Sequence, residues 1–188
     1  MLESRTMKFL HAFLFLLLTG CAYAPTATPV PPQWRRFDAG IPTHAAILAL
    51  AVDPRDPRTL YAGAYDQTGV YVSIDQARSW RAVSEGLERS AVLALQFVGN
   101  TLYAGTIAGF YRLKDARWQR IEAIPPVAVY SIYNDAPNLY VATDARGIYH
   151  SADAGKTWRR LNGLDGEILT SILALDAQTL IAGTGGNG

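Results

Sequence analysis

The chain has 188 residues, enough for one domain of ordinary size, and 49% of them are hydrophobic, enough for a packed core. Seventeen basic residues against 16 acidic ones leave a formal charge of +1, which excludes the basic footprint expected of a nucleic-acid binder. Ten tyrosines and four tryptophans, with no helical periodicity after the signal-like start, point to β structure.

The first element in chain order is an address. Arg5 and Lys8 precede a predominantly apolar run from Phe9 to Leu18. That run is too short to cross a bilayer core, which takes about 20 helical residues, and it fits the apolar region of a secretory signal. Residues 1–20 are therefore expected to be a signal helix. The segment ends in Leu18-Thr19-Gly20-Cys21, which resembles the bacterial lipoprotein box. The resemblance implies cleavage before Cys21 and lipid on its thiol and new amino group. The chain would then be anchored to a membrane of the cell envelope, on the extracytoplasmic side. Cys21 is the chain's single cysteine, so no internal disulfide can form. The alternatives are an ordinary signal with a chance cysteine, or an uncleaved anchor. Residues 21–33 are rich in Pro, Ala and Thr and read as an extended tether.

Residues 34–188 repeat. Trp34, Trp80, Trp118 and Trp158 recur at intervals of roughly 40 residues. "TLYAG" at Thr59 returns at Thr101, as "NLYVA" at Asn138 and as "TLIAG" at Thr179. Gly-apolar-Tyr follows at Gly69, Gly109 and Gly147. The order of these markers never changes. Each unit divides into four short strands bounded by turn residues; in the third unit these are "VAVYSIYND", "NLYVATD", "GIYHSAD" and "TWRRLNG". Four strands in about 40 residues is the size of a β-propeller blade. The expected fold is all-β, a partial propeller of about three and a half four-stranded blades. The strand at Trp34 could be donated to the last blade to close a ring.

Ser151 to Trp158 reads S-x-D-x-G-x-T-W. It resembles the Asp-box, or BNR repeat, of sialidases, xyloglucan hydrolases, photosystem-assembly propellers and the sortilin group. The resemblance places Ser151, Asp153, Gly155 and Trp158 in the hairpin between a blade's third and fourth strands, on the rim. A weaker copy holds Ser73, Asp75 and Trp80, with Ala77 where glycine is expected, and the second unit keeps Asp115 and Trp118 in a shortened form. A turn needs the same residue in successive units, whereas catalysis does not. Asp153 therefore reads as architectural.

No enzyme constellation emerges. "WRRFDAGIP" lacks the Arg-Ile-Pro core that sialidases carry before their first Asp-box. Asp66 and Asp144 lie in loops that would face a propeller's mouth, on different blades, and read as solvated loop residues. "GTGGNG" at Gly183–Gly188 matches the dinucleotide fingerprint, but repeat register accounts for its glycines, and no helix follows them. No cofactor and no metal site is expected. His150 occupies a strand position held elsewhere by Val72 and Arg112, so it reads as a packed or rim histidine. Gly188 aligns with Gly69, Gly109 and Gly147. The half unit it ends reads as a longer propeller cut short, or as a partial ring that self-associates through open blade edges. The expected function is a membrane-tethered, non-catalytic scaffold for a protein or glycan. A glycoside-hydrolase fragment is the alternative. Ligands would first be sought at Asp66, Gln67, Asp144 and Arg146.

Overall fold

The computed structural model describes residues 33, 35–66, 69–88, 90–176 and 178–186. The signal segment, Cys21, the tether up to Pro32, Trp34, Gln67 and Gly188 lie outside the described residues. The described chain is all-β, with twelve antiparallel strands in three sheets. The first sheet is β1 (Ile47–Val52), β2 (Leu60–Ala64), β3 (Val70–Ser73) and β4 (Arg81–Ala82). The second is β5 (Val92–Val98), β6 (Thr101–Thr106), β7 (Gly109–Lys114) and β8 (Arg117–Arg120). The third is β9 (Val129–Asp135), β10 (Asn138–Ser151), β11 (Arg159–Ala174) and β12 (Leu180–Thr184). Strands follow chain order in each sheet, joined by short connections that favour antiparallel neighbours.

The third sheet departs from the four separate strands expected of the third unit. β10 pairs with β9 through Asn138–Thr143 and with β11 through Asp144–His150. β11 in turn pairs with β10 through Arg159–Ile168 and with β12 through Leu169–Ala174. The two predicted strands "NLYVATD" and "GIYHSAD" are thus one element, bent where Ala145 and Gly147 take positive φ. Thr143 Oγ1 donates across the bend to the Gly147 carbonyl at 2.6 Å. Asp144 and Arg146 lie opposite Ile168 and Asp165, so the pairing runs on, through register shifts on both sides of Arg146, from the third unit into the half unit after it.

The sheets stack through their apolar faces. Val92, Leu95, Leu102 and Tyr111 of the second sheet meet Ala49, Ala51 and Tyr61 of the first. Tyr103, Phe110, Ile121 and Ile124 meet Val129, Leu139, Val141 and Tyr149 of the third. Sheets buried on both faces show runs of consecutive buried residues rather than strict alternation, as Val70–Ser73 does. The glycine of "TLYAG" is set by this stacking. A Cβ on Gly63 would come within 2.6 Å of Val92, and one on Gly105 within 2.6 Å of the Val129 carbonyl. In the third unit the equivalent Ala142 is fully buried among Leu169 and Ile172, so the half unit that follows leaves room there for one methyl group.

The tryptophans tie successive units together. The Trp80 backbone N–H donates to Ala39 and its indole to Phe37, both in the segment that precedes the first sheet. Trp118 repeats the pattern, with its backbone N–H on Glu85 and its indole on Val83.

Candidate functional site

Two hairpins carry the Ser-x-Asp pattern. In the third unit it joins β10 to β11. Ser151 Oγ donates to Asp153 Oδ1 at 2.7 Å and accepts the Gly155 N–H at 2.8 Å. Asp153 also takes the N–H groups of Lys156 and Thr157 at 3.0 and 2.8 Å, and the Thr157 hydroxyl at 2.6 Å. The Thr157 hydroxyl, then its N–H, then Ser151 hold the Asp153 carboxyl far below the usual carboxylate range. Trp158 caps the turn, its indole donating to the Gly155 carbonyl at 3.2 Å and its ring meeting Phe110 edge-on.

The hairpin between β3 and β4 repeats this bonding. Ser73 Oγ donates to Asp75 at 2.8 Å and accepts the Ala77 N–H at 2.9 Å, and Asp75 takes the Ser79 N–H and hydroxyl at 2.9 and 2.6 Å. Ser79 lowers the Asp75 pKa to about 2, with help from Ser73. Ala77 holds φ +66°, matching Gly155 at φ +88°, so an alanine adopts the conformation that favours glycine. In the second unit Asp115 and Ala116, both at positive φ, form a two-residue turn between β7 and β8. That is the φ signature of the tight hairpin turn.

Of the described mouth-loop residues, Asp66 and Arg146 are each engaged near their own loop. Asp66 accepts the Gly69 N–H at 3.2 Å and the Tyr71 hydroxyl at 3.4 Å, which makes it a brace for its own loop. Asp144 is half-buried, and Arg146 is exposed and gives its carbonyl to Arg160. Arg160 also pairs with Asp165. His150 stacks on Tyr140 with 4.5 Å between ring centroids and bonds Asn138 at 2.9 Å. Gly183 lies inside β12, paired with Ser171.

A groove missed by sequence reasoning lies between the second sheet and the third unit's hairpin. It encloses about 350 Å³ and is lined by Thr101, Tyr103, Arg112, Lys114, Gly155 and Lys156, among others. Tyr103 and Arg112 are cross-strand partners and so share one face. The Tyr103 hydroxyl donates to the Ala154 carbonyl at 3.2 Å and fixes the hairpin as the opposite wall. Arg112, Lys114 and Lys156 make no ion pair among the described residues. The Arg112 Nε is buried without a hydrogen-bond partner. The signal was present in "RLKDARW", but only folding brings it opposite Lys156.

No protein-family model and no curated protein matches the chain. Solved structures do. The GH74 xyloglucanase from Xanthomonas campestris aligns over 74% of this chain and 27% of its own, at 18% identity and TM-score 0.61. The fold is a partial β-propeller. The extracellular domain of BT4673 from B. thetaiotaomicron aligns over 73% of the propeller chain and 20% of its own, at 19% identity and TM-score 0.60. The computationally designed Ika4 protein aligns over 81% of this chain and 93% of its own, at 16% identity and TM-score 0.61. The propeller chain thus spans about a quarter or less of the two natural proteins and nearly all of the designed one.

Proposed function

We propose that the chain is an extracytoplasmic, lipid-anchored propeller that binds or assembles a protein or glycan without transforming it. The architectural use of five turn carboxylates carries this reading. Asp53, Asp56, Asp75, Asp153 and Asp176 are all held towards the ionised form by hydrogen bonds from their own turns. Hydrolysis of a glycosidic bond needs one carboxyl biased the other way, as a proton donor facing a second carboxylate. The Ser-x-Asp hairpins, on this reading, are braces that hold the rim, and Cys21 is the point of attachment.

Likeness to a xyloglucanase favours a second reading, a fragment of a carbohydrate hydrolase. One experiment separates the two. The purified chain is incubated with xyloglucan and other polysaccharides while binding and the release of reducing ends are followed together. Binding without release supports the scaffold, and release that rises with protein concentration overturns it. The anchor is tested by labelling cells with a radioactive fatty acid. Label should enter the protein and be absent from Cys21→Ala.

A further inference from the structure

We infer that the groove between the second blade and the third blade's hairpin is a binding site for a tetrahedral oxyanion, a sulfate or phosphate group, carried on a sugar. Arg112 and Lys114 project from β7 and Lys156 from the facing hairpin, so three cations line one groove. They share no acidic partner through an ion pair among the described residues. Asp115 follows Lys114 directly but forms no ion pair with it, and Asp153, three residues before Lys156, already accepts hydrogen bonds from Ser151, Lys156 and Thr157. Arg112 has bonding capacity to spare. Among the described residues its one side-chain hydrogen bond is a long contact from Nη2 to Gln119 at 3.4 Å. A planar guanidinium offers parallel donors to an oxyanion.

The walls are fixed beforehand. Tyr103 spends its hydroxyl proton on Ala154, and Ser151 and Asp153 hold the hairpin. Little ordering would then be needed on binding. The volume of about 350 Å³ falls within the range of small-molecule sites, roughly 300–1,000 Å³, and exceeds what a bare oxyanion fills. The Thr101 hydroxyl adds a neutral polar group suited to a sugar. The carrier rests on the glycan-binding reading above, and the oxyanion does not.

The test uses the chain with its Ser-x-Asp hairpins intact. Sodium sulfate and sodium phosphate are titrated at constant ionic strength against a chloride control, with binding read by calorimetry or amide chemical shifts. Saturable binding is expected at one site, weakened about tenfold or more in Arg112→Gln and in Lys156→Gln. Lys156 is exposed, so its variant should keep the fold even where Arg112→Gln does not. No saturable binding of either anion, or binding unchanged in Lys156→Gln, overturns the site. A second arm compares a sulfated oligosaccharide with free sulfate. About tenfold tighter binding of the sulfated form than of free sulfate supports the carrier, and equal affinity overturns it. Should the chain hydrolyse glycans, the scaffold reading fails while the oxyanion result stands or falls alone.

Discussion

Asp153 and Asp75 show how a charged side chain can serve structure. Each gathers donors that would otherwise compete for water, and the charge strengthens every bond it accepts. Their folded-state pKa values are depressed, so their stabilisation is complete above about pH 4 and is lost as pH falls, for Asp75 through about 2 and for Asp153 at lower pH still. His150 adds an earlier step. Burial, assisted by Arg159, lowers its pKa, so the unfolded chain takes up a proton more readily. Stability should fall as pH drops below about 6.5, the ordinary histidine value. Urea midpoints measured from pH 8 to pH 2 should therefore show two declines. His150→Gln should remove the upper one, and Asp75→Asn should shrink the lower one while lowering stability at neutral pH. The paired positions Ala77 and Gly155 make opposite predictions. Ala77→Gly relieves a left-handed alanine and should stabilise by about 1 kcal/mol. Gly155→Ala strains the backbone and drives a methyl group into Tyr103, at a cost of roughly 2 kcal/mol or more. Thermal melts of the two single variants decide both.

At the scale of strands and sheets, the repeated markers foretold much of the fold. "TLYAG" opens or forms β2, β6, β10 and β12, and Gly-apolar-Tyr opens β3 and β7. The tryptophans sit at or just before β4, β8 and β11. These were readable because apolar runs and turn residues are local properties. The merging of β10 with the strand after its bend was not, because it depends on residues 144–146 finding partners at 165–168. The groove was hidden for the same reason. Arg112 looked like evidence of tolerance at a strand position shared with Val72 and His150. Its meaning comes from the hairpin of the following unit, which lies outside any local window. Close approach of sheets gives the prediction at this scale. Gly105→Ala must push back the Val129 backbone and should cost roughly 1–3 kcal/mol in denaturant unfolding. Ala142→Gly, which only opens space, should cost roughly 0.5–1 kcal/mol.

Across the molecule, the faces of the first and last sheets differ from those between them. Leu50 and Val52 pair with Ala62 and Leu60 on a face where Leu50 stays 68% exposed. Leu173 and Ile181 are partners on β11 and β12 and stand 44% and 50% exposed. In repeat register, Leu173 and Ile181 occupy the places of Ala51 and Tyr61, while Leu50 and Val52 occupy those of Leu95 and Phe97. Between the first two blades those sets pack against each other. In the 188-residue chain expressed alone, these two faces would match as halves of one joint, and exposed apolar surface of this kind drives association. The 188-residue chain, expressed alone, should sediment as oligomers at high concentration. Leu50→Lys or Ile181→Lys should shift it towards the monomer.

Gly183 marks the polarity of that joint. Its counterparts Gly63 and Gly105 lie against a following blade, while the nearest atoms to a Cβ on Gly183 belong to Ser171 and Thr170 of its own neighbouring strand β11. Because the two faces are unlike, copies joined through them would add head to tail. Each lysine variant would then be a chain terminator of opposite sense: one can follow but not lead, the other lead but not follow. Mixed in equal amounts, two variants that are each monomeric should recover a dimer and stop there.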